Sequence, residues 1–524
     1  MNRKWLRFTM SMLVLGSVLA GCGQNAGGGT ETGGSAGAGM VTLRVAIFDR
    51  GNSPAGSTAT NNYLTNWVQK EFGDPNGIKV EYVPIPRSDA TEKLNVMMAG
   101  NDAPDIVFAS TDNLLPYNYA KQGGLMDITA LVDEYGPNLK KYLGESLDYG
   151  KVEGVQYSIP GRRVFTGKYS AIIRQDWLDK LNLPMPQTTE EVYETLKAFK
   201  EKDPGGTGGK VIPYGFSLTA ASIEPLVWSF IDDGMTEEER YTLSQKIGYP
   251  LLLPGHKEAV QFANKLYNEG LISPDFALDK DGKTMLQDVM NGRVGMYTED
   301  VGKTYLDNPG VAKVLSQNIS GARLVPADPF TNKSGKHLKP KYVPTGFYLM
   351  IPAGSERGAE AIQYLDWLAQ EAVMFSVFNG EEGRDYKLAN ELPERIESEE
   401  TGNRLYNSAD IAMITIGQDF GSAEKNRAAV AATVPEPFRE DMKRAYEISE
   451  TDPIDYANFE QPIQAELKYV SALYDKYTDI FVKSVMAKPE QFDQVYNSML
   501  EDYMNSGGQA ILEERTEAYK AMKK

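Results

Sequence analysis

The chain has 524 residues and a formal net charge of −18, with 72 acidic against 54 basic side chains. This balance disfavours nucleic acid and anionic lipid surfaces as partners. A single cysteine excludes an internal disulfide framework, and two histidines are too few for a histidine-rich zinc site. His256 is predicted to be exposed in the first turn of a helix and His337 to lie in a loop, and neither is expected to be catalytic.

The first 21 residues have the order of a secretory signal. Three basic residues precede an apolar run from Phe8 to Ala20, which is too short to span a bilayer. The run ends in Leu19-Ala20-Gly21-Cys22, which resembles the lipobox of bacterial lipoproteins, whose cysteine is lipidated and becomes the new N-terminus. We therefore predict a lipoprotein signal peptide at residues 1–21 and lipidation at Cys22. The alternative is an ordinary signal peptide with an accidental cysteine.

Residues 22–40 are mainly Gly, Ser, Ala and Thr, which predicts a flexible tether with a reach of about 20–25 Å. No later apolar run approaches the roughly 20 residues of a spanning helix. The predicted location is therefore the extracellular face of the cell membrane, with the lipid as the anchor.

Strands and helices are predicted to alternate from Val41 to about Gly380. The predicted strands are 41–48, 78–83, 106–108, 155–159, 170–174, 294–297 and 347–351. Between them lie helical patterns, including one that follows the capping pair Thr188 and Glu191 and one that ends at Gly270. Beyond Gly380 helical patterns dominate. This order predicts an α/β fold with a helical C-terminal extension.

Several short segments together resemble one family over roughly residues 41–524. They are Ala99-Gly100-Asn101-Asp102-Ala103-Pro104-Asp105-Ile106, Asp127-Ile128-Thr129 with Tyr135, Tyr157-Ser158-Ile159-Pro160, the segment 174–181, Asn291-Gly292-Arg293-Val294-Gly295-Met296 and the segment 380–386. In this order they resemble family 1 extracellular solute-binding proteins of ABC importers, particularly the long lipoproteins that capture oligosaccharides.

The resemblance implies a two-lobe periplasmic-binding-protein-like fold of type II, closing by hinge motion around a solute. It implies an N-lobe at 41–158 and 299–375 and a C-lobe at 159–298 and 376–524. The implied partners are an oligosaccharide and separate ABC permease subunits, since the chain has no nucleotide-binding motif. A monomer without a cofactor or a metal is expected.

Ligands of open α/β sheets bind beyond the carboxyl ends of strands, here the loops after Phe48, Phe108, Ile159 and Tyr297. Sugars need aromatic faces for their C–H surfaces and charged groups for their hydroxyls. The candidate ligand-binding residues are Asp49, Arg50, Ser110, Asp112, Arg162, Arg163, Trp228, Tyr297, Glu299, Phe347 and Tyr348.

Most of these candidates have a structural alternative. Trp228 is the best aromatic platform but could equally be helix core, and Asp49 and Arg50 could pair with each other on the surface. Ser110 to Asp112 could form a helix N-cap. Only one side chain of Phe347 and Tyr348 can face outward, because strand side chains alternate.

The adjacent arginines Arg162 and Arg163 could clamp a carboxylate-bearing sugar such as a uronate. Pairing with the acidic side chains of the chain itself is equally compatible with their position.

Relatives in the family that this chain resembles often have a calcium loop where this chain has the stretch from Asp203 to Lys210, but here the ligands are missing. Gly205 offers no side-chain oxygen, Thr207 is a weak ligand, and Tyr214 occupies the bidentate position. The loop is therefore predicted to be a turn.

The leading function is a lipid-anchored, non-enzymatic solute receptor. The alternatives are an anchored polysaccharide-degrading enzyme and a receptor for a non-sugar solute such as a peptide or a polyamine.

Overall fold

The computed structural model describes residues 40–110, 114–244, 250–306, 310–396, 398–454 and 463–523. The signal peptide, Cys22, most of the tether and Asp112 lie outside the described residues. Residues Val41–Lys524 form one compact unit. Within the described ranges, no helix combines the length and the apolar character that crossing a membrane requires.

The strands that position the site belong to two sheets. In chain order they are β1 (Val41–Asp49), β2 (Ile78–Pro86), β3 (Val107–Ser110), β4 (Ser158–Arg163), β5 (Tyr169–Arg174), β6 (Ile212–Gly215), β7 (Val294–Asp300), β8 (Leu324–Ala327), β9 (Thr345–Met350) and β10 (Thr415–Ile416). Short two-stranded pairs elsewhere are Lys151–Val152 with Val155–Gln156, Lys339–Pro340 with Pro453–Ile454, and Tyr386–Ala389 with Leu392–Arg395.

The first sheet has the order β2–β1–β3–β9–β4–β10. Strand β1 is parallel to β2 and joins β3 through a parallel bridge between Val45 and Ile106. Strand β9 is antiparallel to both β3 and β4. Ala46 and Ile47, on opposite faces of β1, are both fully buried, because helices cover both faces of this part of the sheet. We call this sheet and its helices the first lobe.

The second sheet has the order β8–β5–β7–β6. Strand β6 is parallel to β7, whereas β5 is antiparallel to both β7 and β8. Its core includes Trp177, which is 1% exposed and packs edge-on against Phe199 with the ring centroids 5.2 Å apart. Trp177 is therefore a core residue of the second sheet. We call this sheet and its helices the second lobe.

Helices surround both sheets. The helices of six or more residues are Tyr63–Val68, Ala90–Ala99, Leu114–Lys121, Thr129–Tyr135, Pro137–Leu143, Gln175–Leu181, Thr189–Lys202, Ala220–Trp228, Glu237–Leu243, His256–Asn268, Lys283–Met290, Val311–Asn318, Gly358–Leu368, Glu371–Asn379, Glu399–Leu405, Ala423–Ala431, Arg439–Ser449, Gln464–Met486, Phe492–Tyr503 and Gln509–Met522. The Thr188 side chain caps its helix by accepting from the Glu191 N–H, as the predicted capping box requires. The Glu191 carboxylate accepts from the Gln187 N–H rather than from the Thr188 N–H, so the second bond of the box is displaced by one residue.

The last three of these helices form a layer on the second lobe, which we call the C-terminal layer. Its residues Ile480 and Phe481 belong to the same hydrophobic cluster as Phe216, whose ring stacks on Phe481 at 6.0 Å. The layer also covers His256, whose Nδ1 lies 2.8 Å from the Tyr496 hydroxyl. The prediction of an exposed His256 is wrong because these contacts come from residues more than 200 positions away.

The chain crosses between the lobes at places that differ from the predicted boundaries. The first crossing, at 164–168, lies close to the predicted position, since β4 pairs in the first sheet and β5 in the second. The return crossing lies between β8 and β9 rather than at residue 299. Residues up to Ile414 pack in the core of the first lobe, whereas the predicted boundary was 375. These shifts reflect strand pairings that no local pattern encodes.

Candidate ligand-binding cleft

The carboxyl ends of several strands meet at one edge of each sheet. In the first lobe, the ends of β1, β3 and β4 adjoin the start of β9, and we call this the first-lobe edge. In the second lobe, the ends of β6, β7 and β8 adjoin the start of β5, and we call this the second-lobe edge. The strands that were predicted to end at Phe48, Phe108, Ile159 and Tyr297 continue to Asp49, Ser110, Arg163 and Asp300, and it is these later ends that lie at the two edges.

Both edges adjoin the segments that cross between the lobes. The Tyr342 N–H donates to the Thr166 carbonyl at 2.7 Å, and the Arg163 N–H donates to the Pro344 carbonyl at 2.8 Å. These bonds hold the two crossing segments side by side. We call the space flanked by the two edges and the crossing segments the candidate cleft.

Aromatic rings line the first-lobe edge. Phe48 packs on Phe108 with the centroids 4.3 Å apart and lies 6.1 Å from Phe347. Phe347 is only partly buried, whereas Tyr348 is 3% exposed and its hydroxyl lies 3.1 Å from that of Thr345. As the strand alternation predicted, one ring of the pair faces outward, and it is that of Phe347.

Arg50 is part of an ion pair in the first lobe. Its Nη2 and Nε lie 2.6 Å and 2.7 Å from the two oxygens of Asp410, a residue 360 positions away. The hydrogen bond to Asp410 raises the pKa of Arg50. The Asp49 carboxylate instead accepts from the Gly51 N–H at 2.9 Å, so Asp49 and Arg50 do not pair with each other. The Asp410 side chain is only 4% exposed, which makes this pair a structural contact.

Arg87 lies directly after β2 and was missed by the sequence analysis. Its guanidinium carbon is 5.8 Å from the centroid of the Phe48 ring, on the same ring that Arg50 approaches at 5.7 Å. Together with Asp49 and Ser88, these arginines line an open hollow of about 510 Å³. The sequence feature that could have identified Arg87 as a candidate is its position one residue beyond the carboxyl end of a strand.

The two arginines at the end of β4 have different surroundings. Arg162 pairs with Asp419 at 2.9 Å, which is the alternative that the sequence left open. The guanidinium carbon of Arg163 lies 4.4 Å from the centroid of the Tyr342 ring. Burial lowers the pKa of Arg163, and the Tyr342 hydroxyl opposes that shift. Among the described residues, no carboxylate oxygen lies within 4.0 Å of the Arg163 guanidinium.

Acidic and phenolic groups dominate the second-lobe edge. Tyr169, at the start of β5, is paired in register with Asp300, at the end of β7. The Tyr169 hydroxyl is hydrogen-bonded to Glu224, and the Lys168 ammonium lies 3.3 Å from the same carboxylate. Burial raises the pKa of Glu224 despite Lys168, and burial with the nearby Glu299 raises the pKa of Asp300.

Three predicted site residues point into the protein. Trp228 is 1% exposed and clusters with Ile231 and Leu253, so it has the helix-core position that was its alternative. Tyr297 is also 1% exposed, and its hydroxyl lies 2.8 Å from that of Thr304. Glu299 is 5% exposed and accepts from Lys303 at 3.0 Å. Helices bury both faces of β7, and its exposed carboxylate is that of Asp300.

The remaining predictions concern metals and loops. The Asp203 carboxylate accepts from the N–H groups of Thr207 at 2.9 Å and Gly209 at 3.2 Å, as a turn requires. Although burial opposes them, such bonds lower the pKa of Asp203. The described part of the chain contains no group of three or more Asp, Glu, His or Cys side chains arranged to hold a metal. Ser110 ends β3 at the first-lobe edge.

A two-lobe α/β fold with a charged and aromatic cleft beside its crossing segments is the architecture of a solute-binding protein. The profile described as "Bacterial extracellular solute-binding protein" matches residues 55–375, and the chain belongs to this family.

Individual relatives agree with this assignment. The lipoprotein LipO of Bacillus subtilis is 26% identical over 399 residues, which cover 74% of each chain. The fructooligosaccharide ABC transporter substrate-binding protein FusA of Streptococcus pneumoniae is 29% identical over 269 residues, or 48% of each chain. The crystal structure of an extracellular solute-binding protein from Bifidobacterium longum subsp. infantis superposes with a TM-score of 0.65 over 92% of this chain and 98% of that one, at 16% identity. The last comparison shows the shared fold.

Proposed function

We propose that the chain is a lipid-anchored extracellular receptor that captures an oligosaccharide in the candidate cleft and delivers it unchanged to an ABC permease. The family assignment, the fructooligosaccharide-binding relative FusA and the lipobox-like Leu19-Ala20-Gly21-Cys22 support this proposal. The receptor acts as a monomer at the extracellular face of the cell membrane.

The composition of the candidate cleft carries the proposal. The Phe347 ring offers an apolar face, and Tyr169 and Tyr342 add half-buried phenol rings near the crossing. Asp300 supplies an acceptor for hydroxyl groups, and Arg163 supplies donors. Flat apolar faces combined with fixed hydrogen-bonding groups suit a sugar, whose rings have C–H surfaces and hydroxyl rims.

The test is a binding screen with the compact unit Val41–Lys524. Each of a panel of oligosaccharides is added, and unfolding temperature and heat of binding are measured. A true ligand at about 1,000 times its dissociation constant stabilises the folded protein by roughly 4 kcal/mol. Chromatography of the recovered sugar distinguishes the alternatives, since a receptor returns it intact and an enzyme shortens it. Stabilisation by peptides or polyamines, with no response to any saccharide, would contradict the proposal.

Substitution of the outward-facing ring tests the location of the site. Phe347→Ala is expected to weaken oligosaccharide binding by about 10-fold, because the apolar face is lost. Met522→Ala is the matched control, since Met522 is 51% exposed on the last helix. Equal affinities of the two variants would exclude Phe347 from the site.

Anchoring and delivery need a cellular test. Cys22→Ala should release the protein from the membrane fraction and abolish uptake of the sugar by intact cells, while the affinity of the purified protein stays unchanged. Continued uptake by a fully released protein would show that the anchor is dispensable.

A further inference from the structure

Arginine side chains in this protein usually have a carboxylate partner. The pattern is clearest for arginines that are at least partly buried: Arg174 pairs with Asp176 at 2.6 Å, and Arg162, next to Arg163 in sequence, pairs with Asp419 at 2.9 Å. In an acidic chain such partners are abundant. A partly buried arginine at the cleft without one is therefore an informative exception.

Arg163 is this exception, and its side chain is partly removed from water. The residue is partly buried, and its Nε is a buried atom with no hydrogen-bond partner among the described residues. One face of the guanidinium approaches the Tyr342 ring. Because the arginine side chain stays protonated, this arrangement desolvates a cation without pairing it.

The surrounding backbone makes room for this side chain. A Cβ atom on Gly346 would lie 3.3 Å from Arg163 Nη2 and 1.9 Å from Ile416 Cδ1, so a larger residue at position 346 would disturb both neighbours. Arg163 thus occupies a formed niche at the first-lobe edge.

We infer that the candidate cleft selects an acidic oligosaccharide and that the guanidinium fork of Arg163 binds a uronate carboxylate, with Tyr342 as its support. This inference deepens the proposed function and depends on it. A planar carboxylate matches two parallel N–H donors, and it supplies the charge that Arg163 lacks. Glu224 is already held by Lys168 at 3.3 Å, whereas the Asp300 carboxylate is 51% exposed and its distance to the Lys303 ammonium is 3.9 Å, so Asp300 can accept from sugar hydroxyls.

A second cation lies at the other end of the same edge. Arg87 follows β2, and in the described chain it too has no carboxylate oxygen within 4.0 Å. The strand order β2–β1–β3–β9–β4 puts four strand spacings, about 19 Å, between the ends of β2 and β4. That span suits an oligosaccharide with acidic groups on more than one sugar unit.

The experiment compares three tetrasaccharide probes. They are a tetramer of galacturonate, its fully methyl-esterified neutral form, and a neutral tetramer of galactose. Val41–Lys524 contains every described sheet and hydrophobic cluster, so calorimetry is performed on this unit. The acidic probe is expected to bind about 10- to 100-fold more tightly than its ester, because a charge-assisted bidentate contact is lost in the ester. Added salt should reduce this difference.

Variants assign the effect to Arg163. Arg163→Gln should lower the affinity for the acidic probe by about the same factor and leave the affinity for the ester within about twofold. The affinity of Arg163→Lys for the acidic probe should lie between those of the unmodified protein and Arg163→Gln, since lysine keeps the charge but lacks the two parallel N–H donors of a guanidinium group. Arg240→Gln is the matched control, because Arg240 is exposed on the helix Glu237–Leu243 and, within the described ranges, also lacks a carboxylate partner.

The outcomes separate this inference from the proposed function. The acidic preference is overturned if the ester or the neutral galactose probe binds more tightly than the acidic probe, or if Arg163→Gln lowers the affinity for all three probes equally. The proposed receptor function would stand in either case. No binding of any saccharide overturns both. If Arg163→Gln does not fold, the ratio of acid to ester in the unmodified protein and in Arg87→Gln still decides the question.

Discussion

The first-lobe edge and the C-terminal layer each contain a desolvated arginine, but only one of the two arginines is paired. In the C-terminal layer Arg515 is 1% exposed, its Nε donates to Glu466 at 2.6 Å, and its Nη1 donates to the Tyr241 carbonyl at 2.8 Å. At the first-lobe edge Arg163 has an aromatic support and no carboxylate partner in the described chain. The paired arginine connects helices of the C-terminal layer, whereas the unpaired one is the residue for which we propose a ligand.

Arg50 shows that position at the cleft is not enough to make an arginine a ligand-binding residue. It lies one residue beyond β1, yet both Asp410 oxygens hold its guanidinium. By the same comparison we expect Arg50 to behave like Arg515 in stability measurements and unlike Arg163 in binding measurements.

The largest expected effect is on the buried pair of the C-terminal layer. Arg515→Met leaves the Glu466 carboxylate, 4% exposed, without its cation. The free energy of unfolding should fall by about 3–5 kcal/mol in denaturant titrations. Adding Glu466→Leu should restore most of the loss, because no buried charge then remains. A loss below about 1 kcal/mol in the single variant would contradict a structural role for Arg515.

A smaller effect is expected at Arg50. Arg50→Ala should lower the free energy of unfolding by about 1–3 kcal/mol, because Asp410 loses its charged donor. The affinity of the folded variant for oligosaccharide should change less than in Arg163→Gln. The reverse result, unchanged stability with strongly weakened binding, would place Arg50 among the ligand-binding residues. It would also contradict the distinction between paired arginines, such as Arg50 and Arg515, and the unpaired Arg163.

The pH dependence of stability tests the C-terminal layer again. Burial lowers the pKa of His256 from 6.5 to about 3. Between these values the unfolded chain binds a proton that the folded protein does not, so stability declines as the pH falls below 6.5 and the decline ends near pH 3. From pH 6.5 to 5 this residue should account for about 2 kcal/mol.

The matched variant for this measurement is His256→Gln, which cannot titrate. Urea titrations at several pH values should give a shallower decline for His256→Gln than for the unmodified protein. Parallel profiles would show that His256 is not held neutral under the C-terminal layer.

The sequence predicted the parts of the fold that depend on local pattern. Alternating apolar residues marked β1 and β2, and the resemblance gave the two-lobe architecture. The position of Asp49 at the end of the first strand also followed. Arg163 ends β4, which continues four residues beyond the predicted strand end at Ile159. Whether these residues contact a ligand remains a prediction.

What the sequence could not provide are contacts between distant segments. Arg50 and Asp410 are 360 residues apart, and the sequence contains many acids that could serve equally well. An indole ring such as that of Trp228 could serve as a platform for a sugar ring. It is buried instead, because it packs in a cluster with Leu253 from another segment of the chain. Tyr342 was missed because its crossing segment has no regular pattern, although it supports Arg163.

The smallest stability effect is expected at Asp300, and its neighbour on β7 provides the control. The Asp300 side chain is 51% exposed at the second-lobe edge, whereas Glu299 points inward and bonds Lys303. Asp300→Asn should weaken oligosaccharide binding by about 10-fold through loss of a charged acceptor, with stability unchanged within about 0.5 kcal/mol. Glu299→Gln should lower stability and leave affinity unchanged. If both substitutions affect binding alike, β7 contributes to the cleft through its backbone position, and the distinction between its outward and inward carboxylates does not hold.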